Sequence, residues 1–98
     1  MATDPSLAPL KPPVARQLAR RIIENGLLEV SGHALREMKS DGLETSDCLN
    51  LLRAGVFGPP EYINGEWRYR VSTPRICVVI TFVSDTRLRV VTAWRIKQ

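Results

Sequence analysis

Apolar residues recur along this chain with two periods, and the change from one to the other divides it. In "PPVARQLARRIIENG", Val14, Leu18 and Ile22 fall at i, i+4 and i+8, which gathers them on one side of a helix. Pro13 suits its first turn, Asn25-Gly26 stops it, and Arg16 and Arg20 take the solvated side. "LLEV" is a short strand or a linker. "SGHALREMKSDG" gives a second helix, with Ser31 as its cap, Leu35 and Met38 as its buried side and Gly42 as its end. "ETSDCLNLLRAG" gives a third, capped by Thr45 or Ser46, with Asp47 near the positive end of the dipole and Gly55 at its close.

After the turn "VFGPP" the period becomes two. "EYI" and "EWRYRV" flank Asn64-Gly65, the strongest short hairpin signal. "ICVVITFV" reads as a strand buried on both faces, and "LRVVTAWRI" as its neighbour. Helices first and a β-meander afterwards predict an α+β domain, three N-terminal helices packed on one face of an antiparallel sheet. Residues 1–12, with three of the seven prolines and no periodicity, are expected to form a flexible or extended arm, leaving 13–98 as the single domain.

Alternation then assigns faces. If "STPR" is a four-residue loop, Arg70 lies across from Cys77 and Arg68 from Val79. If "SDTR" behaves alike, Val83 lies across from Leu88, Thr92 beside Val79 and Trp94 beside Cys77. One face then holds Arg68, Arg70, Cys77, Val79, Thr81, Thr92 and Trp94. The other, the expected core face, holds Tyr69, Val71, Ile76, Val78, Ile80, Phe82, Val91 and Ala93. A slip of one residue would exchange the two sets.

Composition narrows the class. Ninety-eight residues, 44% hydrophobic and 24% charged, make one globular domain with a modest core. No apolar run approaches the roughly 20 residues that span a bilayer, and the N-terminus lacks a basic-then-apolar secretion signal, so the cytoplasm is the expected compartment. Cys48 and Cys77 belong to no CxxC or Cys/His cluster, and one histidine cannot complete a zinc site of the usual spacing; two free thiols and no metal or other cofactor are expected. The net charge of +4 sits in the sheet half, where residues 61–98 carry seven Lys/Arg against three Asp/Glu. Such a strip suits a polyanion, an acidic protein partner, or solvent alone.

The densest part, "NGEWRYRVSTPR", sets three arginines and two aromatics on the rim of the most apolar strand. Guanidiniums grip phosphate oxygens bidentately, and a neighbouring indole gives an unpaired base a surface to stack on. The same side chains equally suit arginines that snorkel over apolar surface beside a tryptophan that closes the core. His33 is the chain's one histidine, with Arg36 a turn further along; it is a proton carrier or a histidine bonded to a carbonyl.

"SGHALREMKSDGLETSDCLNLLRAG", followed by "YINGEWRYRV" and a closing "RVVTAW", resembles a bacterial domain family grouped with the RelE-like toxin superfamily, near the MqsR-type and BrnT-type toxins, over about residues 27–95. The resemblance implies a curved antiparallel sheet backed by helices. It also implies metal-independent cleavage of single-stranded RNA or mRNA, on the ribosome in many cases, within a type II toxin–antitoxin system whose cognate antitoxin blocks the basic face. The matching positions are His33, Arg68, Arg70, Thr92 and Trp94, expected as the catalytic set. Arg36, Arg75, Trp67 and Arg95 are expected as further nucleic-acid contacts. On this view Arg70 and Arg68 stabilise the phosphorane, His33 moves a proton and Trp94 holds a splayed base, leaving a 2′,3′-cyclic phosphate or 3′-phosphate end. A non-catalytic RNA-binding module, or a protein-interaction domain with a basic sheet, is the alternative. The N-terminal helix exceeds what the family core needs and is a candidate contact for an antitoxin or a second copy.

Overall fold

The structure, a computed structural model, describes residues 4–97; residues 1–3 of the expected arm lie outside the described residues. It is an α+β domain in which three helices accompany a six-stranded, mostly antiparallel sheet. The elements are α1 (Pro12–Asn25), β1 (Leu27–Val30), α2 (Gly32–Ser40), α3 (Thr45–Ala54), β2 (Val56–Phe57), β3 (Glu61–Ile63), β4 (Glu66–Ser72), β5 (Ile76–Phe82) and β6 (Arg87–Arg95). The strands lie in the order β1-β6-β5-β4-β2, with β3 also on β4, and "LLEV" is a strand parallel to β6.

The helices keep the expected spans but not all the expected faces. Helix α1 buries Ala15, Leu18, Ala19 and Ile22, while Val14 is 47% exposed. The buried stripe is therefore turned by one residue, because two alanines supply the close contacts and a bulkier Val14 is left outside. In α2 Ala34 and Met38 are buried and Leu35 is 52% exposed, for the same reason. Ser31 caps α2, its hydroxyl accepting from the Ala34 N–H at 3.0 Å and donating to the Val91 carbonyl at 2.9 Å. Helix α3 is capped by Glu44 rather than Thr45 or Ser46: the Glu44 N–H donates to the Asp47 carboxylate at 2.8 Å, which starts the helix one residue early. Helices α1 and α3 pack together, and α2 runs beside β6, where the Arg95 N–H donates to the Asp41 carboxylate at 2.8 Å.

Asn64 and Gly65 both adopt positive φ, 51° and 82°, which closes the β3–β4 hairpin in the favoured two-residue form. The β4–β5 turn is tighter than expected. Thr73 donates its N–H to the Ile76 carbonyl at 3.0 Å and accepts at Oγ1 from Arg75 and Ile76, so Pro74-Arg75 alone forms the turn. Arg70 consequently faces Val79 and Arg68 faces Thr81, two residues from the expected partners; a shift of two preserves the faces.

On β6 the expected pairs Thr92–Val79 and Trp94–Cys77 are present, but the ladder slips between Val79 and Ile80, and Phe82 rather than Val83 meets Leu88. Val91 is the extra residue of this β-bulge and is half-buried, whereas Val90 and Leu88 enter the core at 0% exposure. Unbroken alternation would have sent Arg87 and Arg89 into the core with Val91, and an unpaired buried guanidinium is far costlier than a bulge. Tyr69, Val71, Val78, Ile80, Phe82 and Ala93 hold their expected core face, with Ile76 packed at its margin.

Candidate functional site

The second face of the sheet collects side chains from five strands in three cross-strand rows. The first reads Glu61, Arg68, Thr81, Arg89, Glu29. In the second Arg70 faces Val79, which faces Thr92. In the third Ser72 faces Cys77, which faces Trp94. Thr81 and Cys77 are only 4% and 3% exposed on this face, because the long side chains of neighbouring strands lie across them.

Charge on this face is balanced, which the chain order of charges hid. Arg68 Nε donates to the Glu66 carboxylate at 3.0 Å. Arg87 and Arg89 both bind Glu29, which arrives from β1, a strand outside the basic segment. The Arg87 hydrogen bond is the largest influence holding the Glu29 carboxyl below its usual range. Among the described residues Arg70 is the one guanidinium of this face with no carboxylate partner, and it lies 5.8 Å from the centre of the Trp94 ring, in cation–π range. Burial pushes the Cys77 thiol up, and nearby Arg70 only partly opposes it, so this sulfur is a protonated neighbour and not a nucleophile.

Beside the second row stands α2. Thr92 donates its hydroxyl to the Glu37 carboxylate, and His33 Nε2 lies 3.1 Å from the same oxygen. Glu37 was missed in the sequence. It is the i+4 partner of His33, and that spacing was the available signal. Arg36, expected to join His33, is instead exposed and without a carboxylate partner among the described residues. With Nε2 turned to Glu37, Nδ1 is the ring nitrogen left for a ligand. Neighbouring strands are about 4.8 Å apart, so Arg70 and Thr92 stand about 10 Å apart across β5.

The structure thus brings Arg70, Trp94, Thr92 and His33 to one face and its α2 border. Arg68 shares the face but is neutralised. Arg75 is exposed in the β4–β5 turn, and Arg95 is tied to the Asp41 and Gly42 carbonyls at the end of β6. Trp67 points the other way, packs against the core and meets Tyr62 edge-on at 5.0 Å, so it cannot share a base with Arg70. Among the described residues no group of three or more His, Cys, Asp or Glu is placed to hold a metal ion, and no helix is long and apolar enough to cross a membrane. Comparison with protein-family models, characterised proteins and solved structures gives no match to this chain.

Proposed function

We propose that the open face of the sheet binds single-stranded RNA, ribosome-bound mRNA included, and cuts it without a metal, as a RelE-like toxin does, until an antitoxin covers the face. The observation that carries this is Arg70: a guanidinium with no carboxylate partner among the described residues, held over an indole, two strands from a Thr92–Glu37–His33 cluster. Arg70 grips the scissile phosphate and Trp94 stacks the adjoining base. Glu37 accepts from His33 Nε2 and keeps Nδ1 toward the ribose. The 2′-hydroxyl gives its proton to Nδ1 while its oxygen attacks phosphorus; the P–O5′ bond breaks, and the leaving oxygen takes a proton from water. A 2′,3′-cyclic phosphate and a 5′-hydroxyl result, with Arg70 against the charge that builds on the phosphorane.

A role in binding alone, to RNA or to a protein, is favoured by the pairing of the other three open-face arginines with Glu66 and Glu29. One experiment separates these. Purified protein is incubated with a mixed-sequence RNA in excess EDTA, beside Arg70→Ala with its circular dichroism checked. Cleavage to cyclic-phosphate ends, reduced by about 10²–10³-fold in the folded variant, is expected. Binding without cleavage, with ribosomes present as well, makes the domain a binder, and no RNA binding at all removes RNA from the account.

A further inference from the structure

The basic surplus that the open face lacks is found around the short edge strand β2. Arg16 and Arg20 of α1 reach the carbonyl of Arg53, at 3.5 and 3.0 Å, and so sit at the negative end of α3 with N–H groups to spare. Among the described residues Glu24 is the one carboxylate lining the hollow beside Arg20 and Arg53. Below them a groove of about 590 Å³ runs from Pro12 and Pro13 to Val56 and Phe57.

The floor of that groove is a sheet edge with its backbone turned outward. The Gly58 N–H donates to the Arg70 carbonyl at 2.8 Å and Val56 pairs with Ser72, so alternation directs the N–H and C=O of Phe57 away from β4. No strand of the described residues lies beyond β2. The Val56 side chain is 72% exposed, a large apolar surface left at an edge. Pro59 and Pro60 follow, and having no N–H they end the edge there.

We propose that this edge takes an extended, acidic segment of a partner protein, which adds as a strand outside β2 and sets its carboxylates against Arg16 and Arg20. The outward Phe57 N–H and C=O call for an extended segment and not a helix. Two guanidiniums against one glutamate call for acidic side chains. Nucleic acid fits less well, because Phe57, the one aromatic of the groove, is 8% exposed and offers no ring for a base. The site is separate from the open face and stands whether or not that face cuts RNA.

The test uses the full chain, isotopically labelled, and two capped twelve-residue peptides, one alternating glutamate with valine and one alternating lysine with valine. The glutamate peptide shifts the Val56, Phe57 and Gly58 amides and slows exchange of the Phe57 amide; the lysine peptide does neither. The double variant Arg16→Ala/Arg20→Ala, checked for a native spectrum, binds the glutamate peptide roughly three- to thirtyfold more weakly, as two rim charges allow. Equal effects from both peptides, no effect from either, or a Phe57 amide that stays unprotected overturns the proposal on the unaltered protein. So does unchanged affinity in the double variant. Concentration-dependent shifts of the same amides without peptide assign the edge to a second copy, and displacement of the peptide by a mixed-sequence oligonucleotide assigns it to nucleic acid; either outcome overturns the partner named here.

Discussion

Tyr69 does two jobs with one side chain. Its ring is fully buried and meets Phe82 edge-on at 5.3 Å, and its hydroxyl accepts from the Leu10 N–H at 2.7 Å, joining the segment before α1 to the middle of the sheet. Tyr69→Phe keeps the ring and removes the acceptor. A loss of about 0.5–1.5 kcal/mol in urea unfolding is expected, together with faster exchange of the Leu10 amide. No local pattern announces a contact between residues 59 apart, and it was not legible. Glu37 differs, since its spacing from His33 was in plain view but the carboxylate's second partner, Thr92, lies 55 residues away. Val14 and Leu35 mislead for a third reason: a large apolar side chain implies burial, whereas the packing here seats alanines.

Among the elements, β1 is held by a glycine that has no room for more. A Cβ on Gly26 would lie 2.3 Å from the Thr86 carbonyl oxygen, and the Leu27 N–H donates to that same oxygen at 2.9 Å. The glycine's φ of −115° suits any residue, so the demand is for space and not for conformation. Gly26→Ala is expected to cost roughly 1–3 kcal/mol and to loosen the β1–β6 pairing, seen as a lower unfolding midpoint and earlier exchange of the Glu29 and Ser31 amides. Because β1 carries Glu29 to Arg87 and Arg89, the substitution would also release two cations on the open face. Element identity was read well here, down to the hairpin at Asn64-Gly65. Pairing was harder: the length of the "STPR" turn rests on Thr73 binding back to Arg75 and Ile76, a detail that alternation does not contain.

At the scale of the whole molecule, burial ties alkaline stability to three groups, Cys48, Tyr69 and the Cys77 already described. Burial pushes the Cys48 thiol up to about 11 from an ordinary 9.0, with Asp47 adding to the shift, and it raises Tyr69 as well. The unfolded chain gives up these protons first, so their contribution is complete below pH 9.0 and is lost as pH climbs toward 11. Urea midpoints followed over that range should fall, and fall less steeply in Cys48→Ala, whose lower starting stability does not affect the slope. The net charge of +4 was legible, its location was not: Glu29 and Glu37 come from outside the basic segment and cancel part of it, a fact of topology and not of composition. The extra residue at Val91 has a further meaning for β6. It lets one strand carry two messages out of step, Leu88 and Val90 written for the interior on one beat, Thr92 and Trp94 for the exterior on the same beat. A chain without Val91 would alternate regularly and keep both; with Val91 and no bulge, the strand would forfeit one, burying arginines or burying the tryptophan's face. The strand therefore behaves as two short words joined by a silent letter, and the open face depends on the bulge that sets that letter aside.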